Sequence, residues 1–167
     1  MFEYSGLSVV KIAFIEQEGP SDVPLVRAWE RGEATPIAEG ISRAFWLHRP
    51  AYNVRFWVKN TGGVHGGDVS RPLFFLVLQM ALCKNPKIPQ LYVNFPSSSG
   101  EPPSVLRGFT NTEMDADEGT WVNITLSRYD LSIWDVKKQG WRRPEGQIGI
   151  TVGKSSRDKR LQGIIPI

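Results

Sequence analysis

Hydrophobic and polar residues alternate with a period of two over several short stretches, each closed by a turn signal. In 52–59, Val54, Phe56 and Val58 alternate with Asn53, Arg55, Trp57 and Lys59 ahead of Asn60-Thr61-Gly62-Gly63, which predicts a strand with one buried face. Gln90–Phe95 sets Leu91 and Val93 on one face and runs into the Pro- and Ser-rich loop 96–103. Thr120–Leu126 sets Val122, Ile124 and Leu126 inward and Trp121, Asn123 and Thr125 outward. Gln147–Gly153 and Arg160–Ile165 supply two more strands, and Phe2–Ile15 reads as extended. Asp22 starts a short predicted helix through Pro24, Leu25 and Trp29, which Gly32 closes. Glu33–Pro50 has no clean period and reads as linker or irregular surface.

Strands at intervals of roughly ten residues, with no amphipathic helices between them, predict an all-β antiparallel sandwich rather than a parallel α/β sheet. Its core should comprise Val54, Phe56, Val58, Leu91, Val93, Val122, Ile124, Leu126, Ile148, Ile150 and Val152 between two sheets. Composition agrees. The 167 residues hold 51 β-branched or aromatic side chains against 20 Ala plus Leu. Such a length buries a core without disulfides, and Cys83 is the only cysteine.

Leu73–Cys83 breaks the pattern, being apolar except for Gln79. Eleven residues fall short of the roughly 20 needed to span a bilayer, so no membrane partner is expected. The N-terminus lacks the basic and apolar regions of a secretory signal, so the chain as written does not address itself for export.

The charge and motif inventory excludes most chemistry. A net charge of +3 calls for no nucleic acid. The basic residues of 128–160 are scattered through turns, which favours tryptophans that fill a hairpin over a nucleic-acid platform. One cysteine and two histidines, His48 and His65, are too few for the common zinc sites. Gly153-Lys154-Ser155 lacks the glycine a phosphate loop needs at 148, and a nucleophile elbow needs glycine at 157, where Arg157 stands. The acidic run Asp115–Gly119 lacks the twelfth-position glutamate of a calcium loop, where Leu126 falls, and reads as a solvated turn. No carboxylate pair stands out for glycoside hydrolysis. No cofactor is expected. Asn123-Ile124-Thr125 is an N-glycosylation acceptor that matters only in a secreted chain, and Trp57 and Trp121 point outward as candidates for a weak carbohydrate- or polymer-binding surface.

Leu106-Arg-Gly-Phe109, Asp130-Leu-Ser-Ile-Trp134-Asp135, Trp141-Arg-Arg-Pro-Glu-Gly146, Gly153-Lys-Ser155-Ser156-Arg157-Asp158 and Arg160-Leu-Gln-Gly163 follow one another in an order and spacing shared with a known family. The chain resembles the C-terminal fibronectin type III-like domain of glycoside hydrolase family 3 β-glucosidases, and the wording of Gly100–Phe109 is most similar to the fungal enzymes. The resemblance implies an immunoglobulin-like sandwich over 51–167, preceded by an irregular extension, 1–50, that is a remnant of the segment leading in plus a linker. It also implies an extracellular parent enzyme whose catalytic aspartate and acid/base glutamate lie in upstream domains without counterpart here. Those domains are the implied partners, and the chain is expected to be inactive alone.

Within the shared motif, Trp134 and Trp141 stand seven apart, so a turn near 138–140 should bring both indoles together, largely buried. Asp130 and Asp135 should accept backbone hydrogen bonds at the ends of that unit. Val69–Lys87 matches nothing in the family and reads as translated intron. Removing its 19 residues, or 57 nucleotides, restores a continuous strand. Val69-Ser70 can be encoded as a GTAAGT donor, and Lys87 as AAG supplies the acceptor.

Overall fold

The computed structural model describes residues 1–12, 22–36, 44–62 and 88–166. The Val69–Lys87 reading therefore lies outside the described residues. Among the described residues, ten strands and two α-helices follow one another as β1 (Phe2–Lys11), α1 (Val23–Glu30), β2 (Thr35–Pro36), α2 (Phe45–His48), β3 (Pro50–Asn60), β4 (Gln90–Asn94), β5 (Val105–Phe109), β6 (Gly119–Ser127), β7 (Ile133–Asp135), β8 (Gly140–Arg142), β9 (Gly149–Ser155) and β10 (Asp158–Ile164).

Every pairing between these described strands is antiparallel. One sheet has the order β1-β3-β6, the second β10-β9-β4-β5, and a third, small sheet β2-β8-β7. The all-β sandwich is thus the observed fold. All eleven expected core residues are buried, the most exposed being Ile124 at 7%. Their alternation works because each of these strands turns one face to the opposite sheet. In β4 and β9 the alternation fails. Tyr92 and Thr151, opposite each other in register, are buried as well, because the polar outer face is closed by its own side chains. Asn94 Nδ2 donates to Thr151 Oγ1 at 2.7 Å, and the Tyr92 hydroxyl bonds Gln90.

The predicted helix forms, with Gly32 left-handed just past its end. Its buried residues are Val26 and Trp29, with Leu25 partly buried beside them. Asp22 makes no capping hydrogen bond; its carboxylate lies 3.1 Å from Arg49 Nη1, an ion pair without hydrogen-bond geometry. The linker reading of Glu33–Pro50 is corrected at two places. Thr35–Pro36 pairs with β8, and α2 buries Trp46 and Leu47 in the core. A two-residue strand and a one-turn helix are too short to show a period.

The turn 115–118 is solvated, as its composition suggested, and its inner side is tied down by Asn60. Buried Asn60 donates from Nδ2 to the Asp115 carbonyl at 3.1 Å, while its backbone N–H donates to the Glu118 carbonyl at 2.8 Å.

Candidate functional site

The shared motif assembles around Ser127–Arg142. Beyond β6 a single 3-10 turn, Tyr129–Leu131, carries the chain into the β7–β8 hairpin. Asp130 Oδ2 accepts from the Ser127 backbone N–H at 2.8 Å and from its hydroxyl at 2.7 Å. Asp135 Oδ1 accepts from the N–H groups of Lys137 and Lys138, both at 3.0 Å, and Oδ2 accepts from Arg142 Nε at 3.2 Å. Both aspartates therefore take the backbone bonds expected of them. The Lys138 N–H foremost, with that of Lys137 and the Arg142 charge, holds the Asp135 carboxyl below the usual carboxylate range.

Trp134 and Trp141 face each other in register, centroids 5.3 Å apart and planes at 67°, an edge-to-face pair. Their expected burial is corrected. Trp134 is 38% exposed, and Trp141 is only half-buried. The hairpin belongs to the small third sheet, whose other strand supplies two residues, too little surface to cover Trp134. Trp141 instead packs on Tyr129 at 4.9 Å, and Tyr129 on His48 at 4.9 Å. The role of His48 in this ring series had no sequence signal, because α2 lacks a readable period. Gly140 admits β2 beside it, for a Cβ there would lie 2.7 Å from the Thr35 carbonyl oxygen.

The remaining motif residues shape turns. Gly146 holds a left-handed conformation, φ +98°. A Cβ on Gly153 would sit 2.0 Å from the Asp158 carbonyl oxygen, at an irregularity in the β9–β10 register. Ser155 Oγ accepts from the N–H groups of Arg157 and Asp158, at 3.3 and 3.2 Å, around the exposed pair Ser156-Arg157. The Arg160 guanidinium bonded to Asp158 keeps that carboxyl below its ordinary range as well.

Trp57 and Trp121 are direct cross-strand partners, 5.4 Å apart and at 69°. Trp121 is 45% exposed, but the Arg55 guanidinium lies 4.2 Å from its ring centroid, and Trp57 is half-buried over Gly119. Asn123 is exposed on β6 beside a cleft whose walls are Thr110–Glu113 and Thr120–Asn123. No group of three or more metal-ligating side chains occurs among the described residues.

Comparison with known proteins agrees with this architecture. Residues 87–156 match the model of the fibronectin type III-like domain. A probable beta-glucosidase G of Aspergillus flavus is 41% identical over 128 residues, 75% of this chain and 13% of that protein. A probable beta-glucosidase E of Aspergillus fumigatus is 46% identical over 134 residues, 80% of this chain and 11% of that protein. The crystal structure of a beta-D-glucoside glucohydrolase from Trichoderma reesei, 29% identical, superposes with a TM-score of 0.68 over 99% of this chain and 18% of its own. The chain thus spans about an eighth of the length of the curated relatives it matches. By its domain match, its sandwich and its relatives, the chain belongs to the fibronectin type III-like domains of glycoside hydrolase family 3 β-glucosidases.

Proposed function

We propose that the chain is the non-catalytic C-terminal module of an extracellular β-glucosidase, a retaining hydrolase of terminal β-D-glucosyl residues in cellulose and β-glucan. Residues 51–167 make up the sandwich together with β1, which the leading segment 1–50 adds to its first sheet, and the partners are the catalytic domains of the parent. One observation carries this. The three aspartates of the shared motif are spent on structure, Asp130 on Ser127, Asp135 on a turn and on Arg142, and Asp158 on Arg160. A retaining glycosidase needs two carboxyl groups about 5–5.5 Å apart across a bound sugar, and none of these three is free to serve.

The test is an aryl β-glucoside assay on the purified chain, with turnover expected at the buffer rate. Measurable turnover abolished by a known β-glucosidase inhibitor would overturn the reading. A genomic reading frame upstream that encodes two catalytic domains supports it independently. The rival, a free-standing carbohydrate-surface module on Trp57 and Trp121, needs an open indole face, and Arg55 already covers one face of Trp121.

A further inference from the structure

The module reading makes no use of Asn123-Ile124-Thr125, the one N-glycosylation triplet in the sequence. In β6 the outward residues Trp121, Asn123 and Thr125 are exposed, while Val122, Ile124 and Leu126 are buried. A substituent on Asn123 therefore points to solvent without disturbing the core. β6 is also the edge strand of its sheet among the described residues. Beyond the edge runs the stretch 110–113, and between the two lies a cleft of about 320 Å³. That is the lower end of the range of small-ligand sites, roughly 300–1,000 Å³, and suits one sugar ring. Its outer wall, Thr110, Asn111, Thr112 and Glu113, offers hydroxyl, amide and carboxylate groups, the chemistry that hydrogen-bonds sugar hydroxyls and an N-acetyl group.

We propose that Asn123 carries an N-linked glycan and that its first N-acetylglucosamine lies in this cleft against 110–113. In the transfer, the Asn123 amide nitrogen attacks the anomeric carbon of an oligosaccharide held on a lipid pyrophosphate. The N–C bond forms as the C–O bond to pyrophosphate breaks, the lipid pyrophosphate leaves with the electron pair, and the amide gives up a proton. This rests on the proposed function only for passage through a secretory pathway, which the experiment supplies.

The full chain is directed through the secretory pathway of a yeast host by a cleavable leader, and its intact mass is read before and after endoglycosidase H. The expected result is a heterogeneous mass excess that collapses to a single N-acetylglucosamine, absent from both Asn123→Gln and Thr125→Ala. Hydrogen exchange at the 110–113 amides should then be several-fold slower in the one-sugar form than in Asn123→Gln. An unmodified mass overturns the site. Equal exchange in the two forms overturns the seat in the cleft. Either failure leaves the module reading to be judged by glucoside turnover alone.

Discussion

Replacing Trp29 tests how the chain ahead of the sandwich is held. Trp29 is 1% exposed on the inner face of α1, beside fully buried Val26. Its Nε1–H donates to Ser132 Oγ at 2.8 Å, and that hydroxyl donates in turn to the Arg128 carbonyl at 2.7 Å. The guanidinium of Arg143, itself 6% exposed, lies 5.7 Å from the indole centroid. Trp29→Ala removes a fully buried aromatic side chain, a change that costs about 3–5 kcal/mol. For a domain of 150–250 residues each kcal/mol lowers the melting temperature by about 2–4 °C, so a drop of roughly 6–20 °C is expected. Trp29→Phe keeps most of the apolar volume and loses the N–H, and should cost about 0.5–1.5 kcal/mol for the hydrogen bond. Far-UV circular dichroism on heating, with urea titration as a second probe, reads both. Adding Ser132→Ala to Trp29→Phe should cost less than the two single changes together, because both remove the same bond. A Trp29→Ala variant melting within about 2 °C of the parent would show that α1 is not seated on the sandwich, and the packing account of the N-terminal segment would fall.

The depressed Asp135 and Asp158 carboxyls give acid sensitivity of one sign. A carboxyl whose folded pKa lies below its unfolded value, about 3.9, adds stability that is complete above that value and is lost as pH falls through the folded pKa. Asp135→Asn keeps an acceptor oxygen for the turn, so its melting temperature should fall less steeply than the parent's below about pH 4; superimposable pH profiles would contradict the account. Trp134→Ala, at an exposed ring, should cost about 0.5–1.5 kcal/mol for the lost edge-to-face pair, less than Trp141→Ala, which breaks contacts with both Trp134 and Tyr129. Urea denaturation that ranks the two the other way would refute the placement.

The core was legible wherever a strand shows one face to the opposite sheet. Val54, Phe56 and Val58, or Val122, Ile124 and Leu126, announce themselves by period alone. Tyr92 and Thr151 were not legible, because what covers the second face of a central strand is set by neighbours such as Asn94 and not by the strand's own period. Trp134 and Trp141 were legible as a pair and illegible as to depth. Spacing fixes register within a hairpin, whereas burial depends on what lies across it, here a strand of two residues. The turn functions of Asp130 and Asp135 were legible because short carboxylate side chains bond nearby backbone N–H groups whatever the surroundings.

Three hydrogen bonds tie the shared motif to the segment ahead of the sandwich. Ser132 receives Trp29 from α1, Thr35 Oγ1 donates to the Trp141 carbonyl at 2.8 Å, and Arg128 Nη1 donates to the Trp46 carbonyl at 2.9 Å. β1 pairs along β3 from Phe2↔Asn60 to Lys11↔Tyr52 and buries Phe2 and Tyr4 in the same core. Residues that precede position 51 therefore complete the motif physically. A stretch such as Asp130–Gly146 fits two partners at once, the sandwich behind it and the N-terminal segment beside it. Trp141 shares in that double fit through Tyr129 and the Thr35 hydroxyl, while Asp130 and Asp135 fasten the turns locally. Because these side chains serve the fold, activity and stability have to be assayed as separate properties of the chain.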